Sequence, residues 1–233
     1  MALVTGSEGG IGGATARAFT GAGYAVVGAD VAEGADVVAD LATPAGARTA
    51  VETVLDRHGR LDALVLAHGI SGRRYGDGPV EECTDEGWDT VLSQNLSSVF
   101  YVCREAVTKL VAGGGGAIVA VGSVHGLVGG DRDFATHAYA ASKAGLTGLV
   151  RAIAVHYAAD GVRANVVAPG LVKTPMSLRA QADEGIVERL PELQPLGGTF
   201  LEPDDVAAAV LYLAQAKRVT GTVLVVDAGW TAK

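Results

Sequence analysis

The amino-acid sequence predicts an α/β fold in which helices cover both faces of a mostly parallel β-sheet. Seven short apolar runs recur along the chain, and several are continuously apolar, as in strands that are buried on both sides. Segments of helical length separate most of these runs, an alternation typical of parallel sheets. The chain has 233 residues, of which 49% are hydrophobic, enough for one domain with a sizeable core.

The predicted elements follow one another along the chain. Strands are expected at residues 2–5, 24–30, 35–41, 61–67, 116–122, 162–168 and 223–227. Helices are expected at about 10–22, 45–58, 85–111, 137–159 and 204–215. Pro203 and the acidic residues after it favour the start of the last helix, and the glycines at 113–116 indicate a helix stop before a strand. No linker or internal repeat divides the sequence, so residues 1–233 are interpreted as a single domain.

Composition excludes several classes of function. The net charge is -8 and no run of lysines and arginines stands out, so neither nucleic acid nor an anionic membrane is an expected partner. Cys83 and Cys103 form no CxxC pair, which favours a reduced, cytoplasmic chain. The five histidines lack metal-ligand spacing, so no metal site is expected. We also expect no signal peptide and no transmembrane helix, and the expected partner is a small-molecule substrate.

A glycine-rich turn connects the first predicted strand to the first predicted helix. In VTGSEGGIGGATARAF (4–19), three glycines have the spacing G-x-x-x-G-x-G. Glycine allows a close approach of the backbone to a pyrophosphate, and the following helix offers free N–H groups at its positive end. Such glycines often serve only the turn, but a position after the first strand favours a dinucleotide site. That site would include Gly6, Gly10, Ile11 and Gly12.

Acidic residues near the next two strands bear on the choice of cofactor. Asp30 ends the second predicted strand, where a carboxylate can accept hydrogen bonds from both ribose hydroxyls and repel a 2′-phosphate. Glu8 adds negative charge and no Arg or Lys follows Asp30 directly, so NAD(H) is predicted over NADP(H), unless Asp30 only caps a loop. Asp40 is expected to end the third strand, where it and Leu41 either reach the adenine or serve a turn.

Further segments complete a combination of motifs. YAASK (139–143) places a lysine four residues after a tyrosine, Ser123 lies upstream, and NVVAPG (165–170) carries a proline–glycine pair at the sixth strand. With TGSEGGIG (5–12) and VDAGW (226–230), these segments resemble the TGxxxGxG, YxxxK, proline–glycine and C-terminal motifs of the short-chain dehydrogenase/reductase family. The resemblance covers essentially the whole chain.

The resemblance implies a single Rossmann-like domain, a doubly wound parallel sheet of seven strands in the order 3-2-1-4-5-6-7. It implies a catalytic set formed by Asn95, Ser123, Tyr139 and Lys143. It also implies cofactor contacts from Gly69, Tyr139, Lys143, Pro169, Gly170, Val172 and Thr174. Thr174 and the Val172 backbone would hold the nicotinamide carboxamide, unless Thr174 only starts a turn before Pro175.

One stretch departs from the family pattern. Where the family usually has NNAG after the fourth strand, this sequence has LAHG (66–69), which keeps Gly69 but lacks both asparagines. Their loss predicts that a side-chain brace between the central strands is missing, and that this stretch keeps its backbone contacts to the adenosine ribose. We expect this departure to affect local rigidity more than chemistry.

The predicted catalytic residues have a chemical rationale. Free tyrosine has a pKa of about 10, and a nearby ammonium favours the phenolate, as does the positive ring of NAD+. Lys143, one helical turn from Tyr139, supplies that charge, and Ser123 at a strand end can hold the substrate oxygen. By resemblance, Lys143 also contacts the nicotinamide ribose, and Asn95 anchors a water between Lys143 and solvent. The structural alternatives are ordinary helix positions for Tyr139 and Asn95 and a turn position for Ser123.

The substrate side is less defined than the cofactor side. Residues 176–203, rich in proline and glycine, resemble a mobile substrate lid of the family, in which Met176, Leu178 and Leu190 either line the pocket or pack as core. Other candidates for substrate contact are His125, Arg132, Phe134, His137, Arg73 and Arg74. For the last two, solvated loop charges are the simpler interpretation. The expected substrate is a secondary alcohol or ketone of modest size.

Three functions compete at this point. An NAD-dependent alcohol dehydrogenase or ketone reductase uses every motif, whereas a catalytically silent dinucleotide-sensing or scaffold protein needs no Ser–Tyr–Lys set. An enoyl reductase of the same fold is disfavoured because such enzymes space the tyrosine and lysine farther apart. The long helices predicted at 85–111 and 137–159, with His156 and Tyr157 near a helix end, are expected to pair copies into a homodimer or homotetramer.

Overall fold

One sheet of seven parallel strands forms the centre of the molecule. The structure is a computed structural model that describes residues 1–232. Its strands are β1 (Ala2–Thr5), β2 (Val26–Asp30), β3 (Val37–Val38), β4 (Ala63–Leu66), β5 (Gly116–Val121), β6 (Val162–Pro169) and β7 (Val223–Val226). They lie in the order β3-β2-β1-β4-β5-β6-β7 and pair in parallel throughout. The α/β class and the strand order implied by the family resemblance are therefore confirmed.

Eight α-helices are present within residues 1–232. They are α1 (Gly10–Gly21), α2 (Pro44–His58), α3 (Asp85–Leu92), α4 (Ser98–Ala112), α5 (His137–His156), α6 (Leu178–Ala182), α7 (Glu184–Leu193) and α8 (Pro203–Gln215). The helix predicted at 85–111 is divided, because a π-helical turn at Ser93–Ser97 joins α3 to α4. Such wide turns are rare and are frequent at functional sites.

The strand β3 is shorter than the predicted run 35–41. Only Val37 and Val38 pair with β2, and Val38 is exposed at the edge of the sheet. The chain then turns, and the Asp40 carboxylate accepts a hydrogen bond from the Ala42 N–H at 2.9 Å. Asp40 therefore lies in a turn beyond β3, and the prediction that it ends the third strand was wrong.

Adjacent residues of the central strands pack against different helices. Leu3 belongs to a buried apolar cluster that includes residues of α2, α4 and α5. Val4 belongs to a second cluster, with residues of α1 and α8. Because successive side chains of a strand point to opposite faces, each face of the sheet carries its own layer of helices, as the sequence predicts.

A third, smaller apolar cluster lies beyond the sheet. Phe134 packs there with Ala180 of α6 and with Ile186 and Leu193 of α7, so the predicted lid at 176–203 is held by its own core. Within residues 1–232, no helix is long and apolar enough to cross a membrane. The same residues contain no group of three or more His, Cys, Asp or Glu side chains placed to hold a metal ion.

Candidate active site

The glycine turn between β1 and α1 is packed so tightly that a Cβ atom on Gly6, Gly10 or Gly12 would collide with its neighbours. A Cβ atom on Gly12 would lie 1.9 Å from the Gly6 carbonyl oxygen, and one on Gly10 would lie 2.7 Å from Thr174 Cγ2. Gly6 itself has φ +68, which favours glycine. Gly9 precedes α1 without a side-chain cap, so the N–H groups of the first turn remain available to an anion.

A cleft of about 580 Å³ runs along this turn. Of the predicted cofactor contacts, it is lined by Gly6, Gly10, Ile11, Gly12, Asp30, Asp40, Leu41, Gly69 and Thr174. Pro169, Gly170 and Val172 line the adjoining cavity instead. The uncapped helix start, the sterically required glycines and the size of the cleft fit a dinucleotide.

Asp30 faces this cleft and also holds the backbone around it. Its Oδ2 accepts a hydrogen bond from the Glu8 N–H at 3.0 Å, and its Oδ1 accepts one from the Ala32 N–H at 3.1 Å. The carboxylate therefore caps a loop, as in the alternative considered for the sequence, and also lines the predicted ribose site.

A second cavity, of about 160 Å³, opens beside the cleft and contains the predicted catalytic trio. Ser123 follows the carboxyl end of β5, where parallel sheets bind ligands, while α5 supplies Tyr139 and Lys143 from adjacent turns. Ile11, Gly69 and Thr174 line both cavities, so the predicted catalytic side chains adjoin the predicted cofactor cleft.

The electrostatic environment of Tyr139 and Lys143 is dominated by burial. Burial raises the pKa of Tyr139, and a hydrogen bond with Ser123 opposes that rise. Burial also lowers the pKa of Lys143, from 10.5 to about 8, so its amine still carries a positive charge at neutral pH. Lys143 Nζ donates a hydrogen bond to the Val121 carbonyl at 2.9 Å and lies 5.7 Å from the centre of the Tyr139 ring.

Asn95 lies in the π-helical turn and supports the wall of both cavities from behind. Its Oδ1 accepts from the Ile70 N–H at 2.8 Å, and its Nδ2 donates to the Ile70 carbonyl at 3.0 Å and to Ser142 Oγ at 3.2 Å. A Cβ atom on Gly69 would lie 2.8 Å from Asn95 Oδ1 and 3.7 Å from Lys143 Nζ. Asn95 and Lys143 therefore approach each other across Gly69.

The side of the cavity where the sequence predicts substrate contacts is largely aromatic. His125, Met176 and Trp230 line it, and Phe134 packs behind them, with ring centres 5.4 Å from His125 and 5.1 Å from Trp230. The sequence singled out VDAGW only as a motif, so the role of Trp230 in this wall was missed. The remaining candidates lie elsewhere: Leu190 is buried, whereas Leu178, Arg132 and His137 are exposed.

The two candidate arginines differ from each other. Arg73 is partly buried and donates a hydrogen bond to the Asp133 carbonyl at 2.7 Å, so it is a fixed structural contact rather than a solvated charge. Arg74 is exposed and lines the predicted cofactor cleft. The Asp133 carboxylate also forms an ion pair with Arg189 of α7, and Arg189 forms a second one with Asp131. These ion pairs connect the predicted lid to the loop before α5.

The structure of the LAHG stretch (66–69) shows that the predicted loss of a side-chain brace was wrong. The missing asparagines predicted the loss of a brace between the central strands, yet His68 supplies one. Its Nδ1 lies 2.6 Å from Thr5 Oγ1 of β1, and its Nε2 lies 2.9 Å from Ser98 Oγ of α4. An imidazole has two ring nitrogens on opposite sides, so one side chain can connect both elements.

Asp77 is a second residue that sequence reasoning missed. Its buried carboxylate accepts hydrogen bonds from the Ala138 N–H at 3.0 Å and the Tyr139 N–H at 2.9 Å, in the first turn of α5. Thr136, at the N-cap position, contributes no side-chain cap. Asp77 therefore caps α5 from 61 residues away in sequence, too far for any local capping pattern to reveal it.

We expect Asp77→Ala to lower the free energy of unfolding by about 1–3 kcal/mol, because it leaves two N–H groups of a helix start without their charged acceptor. Asp77→Asn keeps one acceptor oxygen and should lose less. Urea unfolding measures both, with Glu81→Ala as a control at an exposed position of the same loop. Equal midpoints for Asp77→Ala and Glu81→Ala would refute the cap.

Comparisons with known proteins agree with this geometry. A family model described as Enoyl-(Acyl carrier protein) reductase matches residues 6–231. The cis-4-hydroxycyclohexanecarboxylate dehydrogenase of Sinomonas cyclohexanicum is 39% identical over 100% of this chain and 96% of its own length. The cyclohexanol dehydrogenase of Acinetobacter sp. strain SE19 is 36% identical over 100% and 95%, respectively.

A solved structure gives the same result at the level of the fold. An oxidoreductase of the short-chain dehydrogenase/reductase family from Burkholderia thailandensis superposes with a TM-score of 0.86 and 34% identity, covering 100% of this chain and 92% of the other. Family model, relatives and fold coincide over nearly the whole chain, so this protein belongs to the short-chain dehydrogenase/reductase family.

Proposed function

We propose that this protein is an NAD(H)-dependent oxidoreductase that interconverts a secondary alcohol and a ketone by hydride transfer, within a single catalytic domain. The observation that carries the proposal is the placement of Ser123, Tyr139 and Lys143 in one cavity that adjoins the glycine-turn cleft. The related dehydrogenases support an alcohol as the substrate class.

The proposed roles follow from the contacts of each side chain. When bound, the nicotinamide dinucleotide accepts or donates the hydride. Tyr139 Oη takes the hydroxyl proton during alcohol oxidation and returns it during ketone reduction, and Ser123 Oγ holds the substrate oxygen. Because burial raises the pKa of Tyr139, the phenol is protonated at neutral pH and needs positive charge nearby to act as a base. Lys143 is the cationic side chain in the lining of this cavity.

The preference for NAD(H) rests on charge in the cleft. The Asp30 carboxylate lines the predicted ribose site, and Glu8 lines the same cleft. Two carboxylates next to a ribose would repel a 2′-phosphate, whereas ribose hydroxyls can donate hydrogen bonds to Asp30. Arg74 is the cation in the lining of this cleft, and it already donates a hydrogen bond to Tyr75 Oη at 2.8 Å.

The surroundings of the cavity favour a compact substrate with an apolar body. Trp230, His125 and Met176 form its outer wall, and two of the relatives act on substituted or plain cyclohexanols by name. We propose a cyclic secondary alcohol or the matching ketone, a cytoplasmic location, and a homodimer or homotetramer. Phe100 and Val155, which are exposed on α4 and α5, support pairing through these helices.

Two alternatives remain distinct from this proposal. A silent dinucleotide-sensing protein would bind the cofactor and turn nothing over, although the preserved Ser123–Tyr139–Lys143 geometry would then serve no purpose. An enoyl reductase is named in the description of the family model, but the spacing of Tyr139 and Lys143 disfavours that reaction.

A panel of substrates with both cofactors tests the proposal. We expect NADH formation from cyclohexanol and other secondary alcohols, with kcat/KM for NAD+ above that for NADP+ by at least about tenfold, since one repelled phosphate is worth over 1.4 kcal/mol. A preference for NADP+ would contradict the cofactor assignment. Cofactor binding without turnover of any alcohol or ketone would favour the sensor, and turnover of only an enoyl thioester would favour the enoyl reductase.

A further inference from the structure

His68 lies between the two cavities, and its ring nitrogens bond to elements on either side of it. Thr5 Oγ1 accepts from the Ala67 N–H at 3.2 Å and lies 2.6 Å from His68 Nδ1. On the other side, Ser98 Oγ lies 2.9 Å from His68 Nε2 and donates to the Gln94 carbonyl at 2.7 Å. These contacts form an uninterrupted chain from β1 to the start of α4.

The distances indicate which atom donates the proton in each of these hydrogen bonds. Ser98 has one hydroxyl proton, which the 2.7 Å contact gives to the Gln94 carbonyl, so Ser98 Oγ must accept a proton from His68 Nε2. Because the pKa of His68 is lowered to about 4, the imidazole is neutral at neutral pH and carries a single ring proton, which the Ser98 contact places on Nε2. His68 Nδ1 then accepts from Thr5, whose contact with Nδ1 at 2.6 Å is shorter than its contact with the Val65 carbonyl at 3.2 Å.

The segment that His68 holds is part of both binding cavities. Residues 67–70 line the cofactor cleft and the catalytic cavity. Asn95 fixes the far end of this segment through both backbone groups of Ile70, and Gln94, the last acceptor of the His68 chain, precedes Asn95 directly. Gly69, between these two anchors, has φ +153 and lies against Asn95 Oδ1.

We propose that His68 is a positioning residue, whose neutral imidazole bridges Thr5 and Ser98 and thereby holds the 67–70 segment in the conformation that binds the cofactor. The inference rests on the proposed function only in requiring a nicotinamide dinucleotide in the cleft. In this protein, the His68 side chain would form a bridge where the family usually has asparagines. The bridge would be sensitive to pH, because it requires a neutral imidazole.

The charges around His68 explain why protonation opposes the bridge. The pKa of His68 falls from 6.5 to about 4, mainly through burial and in part through the positive charge of Lys143 on α5, while Asp30 of β2 opposes the fall. The unfolded chain therefore binds the additional proton between pH 6.5 and about 4, so stability from His68 is complete above pH 6.5 and is lost as the pH falls towards 4.

The first test measures cofactor affinity by NADH and NADPH fluorescence, using whichever cofactor the wild-type protein binds. We expect His68→Ala to raise Kd by about tenfold, since the lost bridge contributes two hydrogen bonds. His68→Gln, which keeps an uncharged donor for Ser98, should restore much of the affinity. Ser98→Ala should raise Kd in the wild-type background and have little further effect in His68→Ala. Absence of binding to the wild-type protein would instead contradict the proposed function.

The second test uses pH, because the imidazole of His68 can take up a proton in the acidic range and a glutamine in its place cannot. As the pH falls from 6.5 to about 4, the unfolding equilibrium constant of wild type should rise relative to that of His68→Gln by up to tenfold per pH unit. His58→Gln, at an exposed position, serves as the matched histidine control. Wild-type Kd in His68→Ala and Ser98→Ala, or parallel pH curves for wild type and His68→Gln, would overturn the proposal.

Discussion

Tyr139→Phe is expected to lose turnover by about 10²- to 10⁴-fold, the range contributed by a positioned general acid or base, while cofactor affinity stays near that of wild type. The substitution removes only the hydroxyl that would exchange the substrate proton. The backbone of residue 139 remains fixed, because Asp77 binds its N–H, and Ser123 and Lys143 keep their positions in the cavity. Steady-state kcat with the best alcohol of the panel and a direct cofactor titration measure the two effects separately.

Tyr212→Phe provides the matched control, because it removes the same hydroxyl from an exposed tyrosine of α8. Its kcat should be unchanged. If Tyr139→Phe retained wild-type turnover, Tyr139 would not be the proton-transferring residue and the proposed mechanism would fail. If it lost cofactor binding together with turnover, Tyr139 would be a binding residue and the general acid/base role would lack support.

Features determined by residues close together in sequence were predicted more accurately than features determined by residues far apart in sequence. Apolar runs such as GAIVAV in β5 are local, and so is the glycine turn, so the sheet and the position of a cleft along this turn could be predicted. The third strand was predicted too long because the run 35–41 is apolar enough for a strand, whereas the sheet edge offers partners only to Val37 and Val38. The length of this strand was determined by the partners available in the sheet and not by the β-propensity of the run.

Features that depend on distant contacts could not be predicted from the sequence. Asp77 caps a helix that begins 60 positions later, and no local pattern encodes this contact. Comparison with the family pattern showed that LAHG lacks the two asparagines. It could not show that His68, within LAHG, contacts Thr5 and Ser98. The π-helical turn around Asn95 was likewise missed, because its sequence continues the helical pattern on both sides.

Gly12→Ala is expected to abolish cofactor binding and turnover, because the added Cβ atom would lie 1.9 Å from the Gly6 carbonyl oxygen and 2.6 Å from its carbon. The obstructing atoms belong to the main chain of the turn, so no side-chain rotation relieves the clash. Either the turn opens or α1 shifts away from it, and both changes displace the helix N–H groups from the predicted pyrophosphate site. We also expect the free energy of unfolding to fall by about 1–3 kcal/mol or more, as for other overpacked positions.

Gly21→Ala separates this steric effect from the general effect of replacing a helical glycine. Gly21 ends the same helix, and a Cβ atom there would meet no atom within 4 Å. The control should bind cofactor like wild type and gain up to about 1 kcal/mol of stability, because alanine restricts the unfolded chain. Isothermal titration with NADH and urea unfolding of both variants test the comparison. Normal cofactor affinity in Gly12→Ala would mean that the contact between α1 and Gly6 does not shape the cleft, and the dinucleotide site would then have to lie elsewhere.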